Sequence, residues 1–470
     1  MTKRVLCVAL AMVLLSSTLV GAQSVMSTDV IIVGGGGSGL VAALSAAEAG
    51  AKVVLLEKMG YLGGATMMSG GVMPAVGTRY QKELGIEDSV DAFARDIFRP
   101  GHYSQRRDLV YTVANNATEV LEWMEELGVK WKLVTGHLRI GQSNYRNHEA
   151  EGKGQGIVNV LVENVMKNEN ITVLLQTPGL GLIADTDGTV KGVAAETKDG
   201  EKLTVIADAT ILCTSGFAAN GEMVAKYIPS IVGAYPMMAP GATGDGIIWG
   251  MELGAAVANM GAYQGYGPFS RELKQNLDLY ALYRGGILVN KDGDRFTNEY
   301  LGYSELGAHI VNQPDHIAYM IIDGENAKNT PALTSWEEAG IVKKADTPEE
   351  LAKQLGISPT KLRFVFDDYV EGIKNGEDRF NRTKLPKEWK APFYAVEATG
   401  DLRHTQGGLV TDTEARVLKI DGERIPGLYA AGGVTEGFTS AGGPVYMSGS
   451  GLLQAFVFGR IAGQSAAARK

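Results

Sequence analysis

A chain of 470 residues is too long for one ordinary hydrophobic core, so its length implies at least two domains. A net charge of −9 argues against a nucleic-acid partner and supplies no basic stripe for an anionic membrane surface. The 61 glycines, about twice the usual share, cluster near Gly34, Gly63, Gly407 and Gly442 without repeating, which points to backbone closing on a large ligand.

The first 22 residues read as a secretory signal peptide. Lys3 and Arg4 precede an apolar run from Val5 to Leu15, then Ser16–Ser17–Thr18 and a small-residue site at Val20–Gly21–Ala22. The run is shorter than the roughly 20 apolar residues that a membrane span needs, so cleavage after Ala22 is expected rather than anchoring. The mature protein is then periplasmic or otherwise exported, and does not span the membrane. Cys7 leaves with the signal, and Cys213, alone in an apolar run, reads as a small core residue. With no disulfide pair, the exported protein depends on its core.

Residues 29–58 follow the pattern strand, glycine turn, helix, strand, acid. Val30–Val33 is a short apolar run of the buried parallel type. Gly34, Gly36 and Gly39 then stand at G-x-G-x-x-G spacing, and small helix formers continue to Ala49. Gly34 permits the tight turn, Gly36 lets backbone approach a pyrophosphate, and Gly39 lets helix and strand pack closely. The helix N-terminus presents unpaired N–H groups to phosphate. A second run, Val53–Leu56, ends in Glu57, placed to accept from a ribose hydroxyl. A lone glycine motif is weak, but all parts occur here in order, so dinucleotide binding is expected.

The next loop, with Gly63, Gly64, Ala65, Thr66, Ser69, Gly70 and Gly71, suits backbone and hydroxyls lying against a flat ligand. Residues 87–128 are helical by pattern, with a stripe that includes Val110, Val113, Val120, Leu121 and Met124. Strands are expected at 171–175, 190–197 and 209–213, the last ending near Gly216 beside the first strand. From Ala262 aromatics become dense: Tyr263, Tyr266, Phe269, Tyr280 and Tyr283. Residues 262–403 therefore read as an inserted second domain, between 27–261 and 404–470. A further strand entering a glycine loop is expected over 422–437, and a last helix, 451–468, points its N-terminus back at the cofactor. His102, His137 and His148 lack metal-ligand spacing and read as surface or loop residues, so no metal site is expected.

Together these residues resemble the FAD-dependent fumarate reductase and succinate dehydrogenase flavoprotein superfamily, which also contains 3-ketosteroid dehydrogenases and urocanate reductase. The resemblance rests on the fingerprint with Glu57, GG-A-T at 63–66, SGG at 69–71, TGDG at 243–246, NKDGDRFTNE at 290–299, HTQGG at 404–408 and GLYAAG at 427–432. It implies an α/β fold, a Rossmann-like FAD-binding domain with an inserted α+β capping domain. It also implies FAD as cofactor and hydride transfer between flavin N5 and a conjugated C=C bond. Further cofactor contacts follow at Gly37, Ser38, Lys58, Gly216, Asp245, Gly432, Ser450, Gly451 and Leu452. Gly433 stands where the family often has a glutamate, which removes one polar contact.

The dicarboxylate reductases of that family use arginines at the substrate, and this chain departs from them. Tyr303 stands at the proton-donor arginine, Tyr266 at a carboxylate-binding histidine, Tyr280–Ala281 near a threonine–glutamate pair, and Tyr446 near the second arginine. Only His404 is kept. Tyrosine cannot reproduce the bidentate clamp of an arginine on a carboxylate. The tyrosines instead resemble the ketosteroid dehydrogenase branch. That resemblance makes Tyr303 the proton carrier, with Tyr446 and backbone around Gly449 and Gly451 holding a carbonyl. Tyr266, Tyr280 and Arg284 are further substrate candidates, with cap core or a solvated charge as their alternatives. Arg295 is expected to pair with Glu299 in its own loop.

The leading reading is thus an exported FAD enzyme acting on a C=C bond next to a ketone or aryl carboxylate. A second is a fumarate-, urocanate- or acrylate-type reductase that uses Arg284, Arg295 or Arg139 as its clamp. A third is an FAD-bearing electron-transfer subunit with no substrate chemistry. The chain has no C-x-x-C-H haem site, cysteine cluster or second nucleotide fingerprint. Electrons therefore require a separate redox partner: a cytochrome, an FMN protein or a quinone-linked donor. An acidic surface suits a basic one.

Overall fold

The computed structural model describes residues 24–136, 138–139 and 141–469. The expected signal segment and His137 lie outside the described residues.

The centre of the molecule is a six-stranded sheet in the order 416–418, 424–430, 209–212, 30–33, 53–56, 171–174. The five strands from 424–430 onward run parallel, and 416–418 pairs antiparallel with the first of them. Val30–Val33, Val53–Leu56 and Ala209–Leu212 are buried along their whole length, as strands covered on both faces must be. Because side chains alternate across a strand, Val30 and Ile32 enter one core and Ile31 and Val33 the other.

The first core is helical. The helix Gly37–Glu48 packs against the last helix, Ser450–Ala467, through small residues on both. The second core lies under a four-stranded sheet built from 24–27, 202–206, 190–196 and 179–184. The helical stretch expected at 87–128 forms two helices, Val90–Phe98 and Arg107–Glu126. The break carries Pro100, which has no N–H to continue a helix.

The insertion leaves on the strand Tyr263–Ser270 and returns on Phe393–Thr405, which pair antiparallel. Ile317–Ile322 and Ile287–Asn290 extend that sheet, and the returning strand carries His404 and Thr405 within it. Helices cover both faces. Arg295 bonds Glu299 at 2.6 Å and Asp378 at 2.5 Å, and Arg382 reaches Glu299 at 3.1 Å. This buried network ties the expected Arg295–Glu299 pair to the distant 378–382 turn. The fold is therefore a Rossmann-like α/β unit with an inserted α+β unit.

His148 departs from expectation. It is no loop residue but lies in the strand Asn147–Ala150, fully buried, with Nε2 3.0 Å from the Thr78 hydroxyl. Burial pulls its pKa down to about 4. Cys213 is buried as expected, and burial pushes its thiol up to about 12. Among the described residues, no helix is long and apolar enough to cross a membrane, and no cluster of His, Cys, Asp or Glu is suited to a metal ion.

Candidate active site

A cavity of 440 Å³ runs from the first strand–helix turn to the inner face of the cap. Its inner part is mostly main chain. Gly34 turns the chain at φ +106°, a left-handed conformation that favours glycine. A Cβ on Gly39 would sit 1.9 Å from the Gly34 carbonyl oxygen, so turn and helix can approach this closely only without a side chain there. The helix Gly37–Glu48 starts after Gly36 with no side-chain cap, and Gly36, Gly37 and Ser38 line the cavity. The last helix likewise starts after Gly449 with no side-chain cap, and Gly449, Gly451 and Leu452 line the same cavity. The first helix thus turns unspent N–H groups to the cavity, whereas at the last helix the Ser450 and Gly451 N–H groups are taken by the Met447 carbonyl and the Tyr446 hydroxyl.

Glu57, 8% exposed, is fixed by accepting the Gly35 and Met59 N–H groups at 2.7 Å each. Its remaining lone pairs stay available to a hydroxyl. Lys58 pairs with Asp245 at 2.8 Å. Gly64, Ala65, Thr66, Ser69, Gly70 and Gly71 form the facing wall. Thr214 Oγ1 and Gln406 Nε2 are buried without partners, and both residues line the cavity. Orphaned polar atoms, an uncapped helix end and a held carboxylate fit a polar dinucleotide, and so fit FAD.

Five expected cofactor residues do not line the cavity: Gly39, Gly63, Gly216, Gly432 and Ser450. The four glycines act one layer back. A Cβ on Gly216 would meet Thr405 Oγ1 at 2.0 Å, on Gly432 Ser38 Oγ at 2.6 Å, and on Gly63 Val158 Cγ1 at 2.8 Å. Each lets two chain segments of the cradle touch. Ser450 opens the last helix, and its hydroxyl is buried without a partner.

The outer part is made of side chains from four distant segments. Tyr303, the first residue of the helix Tyr303–Val311, stacks on Tyr266 with ring centres 5.2 Å apart. Tyr446 meets Tyr303 edge-on at 6.2 Å and His404 at 5.4 Å. The Gly451 N–H donates to the Tyr446 hydroxyl at 3.1 Å. Desolvation raises the Tyr303 phenol well above its ordinary range, and raises Tyr266 and Tyr446 in the same way. These hydroxyls hold their protons at neutral pH. Burial pulls His404 down to about 4, so its imidazole is neutral there.

Two substrate candidates lie elsewhere. Arg284 does not line the cavity: it pairs with Asp278 at 2.9 Å and bonds Asn326 and Thr330. Tyr280 also stands outside the lining, accepting from Arg139 at 3.3 Å. Arg139, by contrast, does line the cavity.

Arg403 and Gln264 escaped the sequence reading, and both line it too. Arg403 lies 4.8 Å over the Tyr266 ring and pairs with the buried Asp401 at 2.8 Å. Strict alternation would turn Arg403 away if His404 faces in. A β-bulge intervenes: Gln264 pairs with His404 and Gly265 with Leu402, leaving Arg403 as the extra residue. Both neighbours can then face the cavity, an arrangement invisible to period-two reasoning.

A family model described as FAD binding domain matches residues 29–450. A fumarate reductase (cytochrome) of Shewanella frigidimarina is 34% identical over 446 residues, covering 94% of this chain and 77% of that protein. The open conformation of a flavocytochrome c3 fumarate reductase has a TM-score of 0.82 at 30% identity, over 95% of this chain and 79% of that one. The 3-ketosteroid-delta4-(5alpha)-dehydrogenase of Rhodococcus jostii RHA1, solved with 4-androstene-3,17-dione, has a TM-score of 0.80 at 27% identity, over 96% and 99%. With a cradle of this form and a family match across nearly its whole length, the chain belongs to the FAD binding domain family and is a flavin-dependent oxidoreductase.

Proposed function

We propose that this protein transfers hydride to or from a C=C bond conjugated to a carbonyl, in an enone or a bulky or aryl enoate, with Tyr303 exchanging the proton. The observation that carries the reading is the meeting of Tyr303, Tyr446 and the Gly451 N–H at one end of the FAD cavity. FAD, when bound, supplies a two-electron centre that gives or takes hydride at N5. In the reducing direction, one alkene carbon receives hydride and the Tyr303 hydroxyl gives its proton to the other, later recovering one from solvent. Its raised pKa suits a donor that must stay protonated until the carbon becomes basic. The Tyr446 hydroxyl, which accepts from the Gly451 N–H, donates to the carbonyl oxygen, where negative charge develops. Neutral His404 packs against Tyr446 and fixes its ring.

In this reading residues 27–261 and 404–470 form the FAD-binding domain and 262–403 the cap that excludes water. The protein is exported after cleavage behind Ala22 and exchanges electrons with a separate cytochrome, FMN protein or quinone-linked donor. Mass spectrometry of the mature N-terminus tests the export.

Tyr303→Phe tests the chemistry. It should lower turnover of a neutral enone by about 10²–10⁴-fold with reduced viologen as donor, while FAD content stays unchanged. Undiminished turnover would remove Tyr303 from the mechanism. A fumarate- or acrylate-type reaction is the second reading, favoured by the 34% identical Shewanella protein and by Arg139 and Arg403 on the cavity wall. Dicarboxylates consuming electrons where enones do not would establish it. A flavin that cycles with no acceptor turned over would leave an electron-transfer subunit.

A further inference from the structure

Three arginines could have served a substrate anion, and two are committed elsewhere. Arg284 is paired with Asp278 outside the cavity, and Arg295 is buried between Glu299 and Asp378. Of the other cations on the cavity wall, Lys58 is paired with Asp245 and Arg403 with Asp401. Lys153 is exposed at its helix start. Arg139 differs from all of them. It lines the cavity, no carboxylate lies within ion-pair distance among the described residues, and its Nε is buried without a partner. Its one hydrogen bond among the described residues, from Nη1 to the Tyr280 hydroxyl at 3.3 Å, orients the guanidinium without neutralising it.

A guanidinium with a buried, unpaired N–H is costly unless an acceptor arrives. A planar fork of this kind is matched by a carboxylate, which it binds through two charge-assisted hydrogen bonds. Arg139 lines the cavity and is bonded to Tyr280 of the inserted segment, whereas the Tyr446 hydroxyl meets the Gly451 N–H at the start of the last helix. The stacked pair Tyr266 and Tyr303 offers a flat apolar surface that suits a ring.

We infer that Arg139 is a specificity-determining anion anchor. The substrate is a planar conjugated molecule with its reacting enone or enoate at Tyr446 and a carboxylate on the far side of its ring. The inference rests on the reading above for the position of the reacting bond. It explains how a site without the double arginine clamp can still select an anion: one carboxylate is recognised, remote from the bond that changes.

The test compares 4-phenylbut-3-en-2-one with its para-carboxylated derivative on the FAD-loaded protein. Binding is read from the perturbation of the oxidised flavin spectrum, and turnover separately with reduced viologen. The acid should bind roughly ten- to a hundredfold more tightly than the neutral ketone. Arg139→Gln should erase that preference, with unchanged FAD content and an unchanged Tm certifying its folding. Arg139→Lys, which keeps the charge without the fork, should restore part of it. Equal affinity for the two compounds, a preference that survives in Arg139→Gln, or no binding of the acid would each overturn the anchor. The proposed function fails by a different result: no turnover of small neutral enones or enoates, whatever the acid's affinity.

Discussion

Around Gly34–Ser38 and Gly449–Leu452 the cavity wall is main chain; around Tyr266, Tyr303, His404 and Tyr446 it is side chain. The first region binds through N–H groups and close approach, so its specification is the absence of Cβ atoms at set spacings. The second works through hydroxyls and rings, which any of several folds could deliver to the same point. The two halves should therefore break differently. A cradle substitution removes the flavin, whereas one at the tyrosines leaves the flavin in place and removes the chemistry.

The largest effect is expected at the cradle. In Gly39→Val the new Cβ would lie 1.9 Å from a backbone oxygen that belongs to the turn itself. Nothing flexible can yield there, so the turn must open. The variant should be purified without flavin absorbance and should not recover it on incubation with FAD. Full flavin content in this variant would mean that the turn is not the phosphate site. At the other end, Tyr446→Phe keeps ring packing on His404 and Tyr303 but removes the hydroxyl that the Gly451 N–H meets. Turnover should fall by roughly 10²–10³-fold with flavin content intact. A loss of flavin here instead would blur the division between the two regions.

That division also explains what the sequence revealed. The strand–glycine–helix–strand–acid order around Gly34–Glu57 is local, and the structure reproduces it strand by strand, with 209–212 beside the 30–33 strand and 424–430 beside 209–212. Tyr266, Tyr303, His404 and Tyr446 were legible only through family motifs, because their meeting is tertiary. Arg284 was misplaced for the same reason: an arginine among cap tyrosines looks like an anion site until Asp278 is seen to take it. Arg403 was missed because a bulge breaks the alternation that would have turned it away.

Acid should act on both regions through buried histidines. His148 lies beneath the 78–81 turn and His404 at the substrate end, each held near pKa 4 by desolvation. Unfolded histidine titrates near 6.5, so between roughly pH 6.5 and 4 the unfolded chain binds protons that the folded chain refuses. Stability contributed by the neutral rings is complete above that window and is lost as pH falls through it. Each histidine should cost up to about 3 kcal/mol at the acid end. His148→Gln should flatten the slope of Tm against pH in this window. An unchanged slope would mean that His148 charges freely in the folded protein.

The smallest effect is expected at Arg284. Its guanidinium and the Asp278 carboxylate are both partly exposed, at 34% and 20%, so solvent screens the pair. Arg284→Gln should cost below about 1 kcal/mol of stability and change turnover by less than about twofold, because Asn326 and Thr330 can still meet the glutamine. Comparison with Arg139→Gln makes the small number informative. Both are arginines within reach of cap tyrosines, both were candidates for the same anion, and they differ in whether a carboxylate of the protein already occupies the fork. If the paired arginine proves dispensable and the unpaired one governs selectivity, the free guanidinium marks where the substrate's charge belongs. If Arg284→Gln abolishes turnover while Arg139→Gln does not, the ion pair with Asp278 must open during the reaction, and the cap contributes a cation that its resting arrangement conceals.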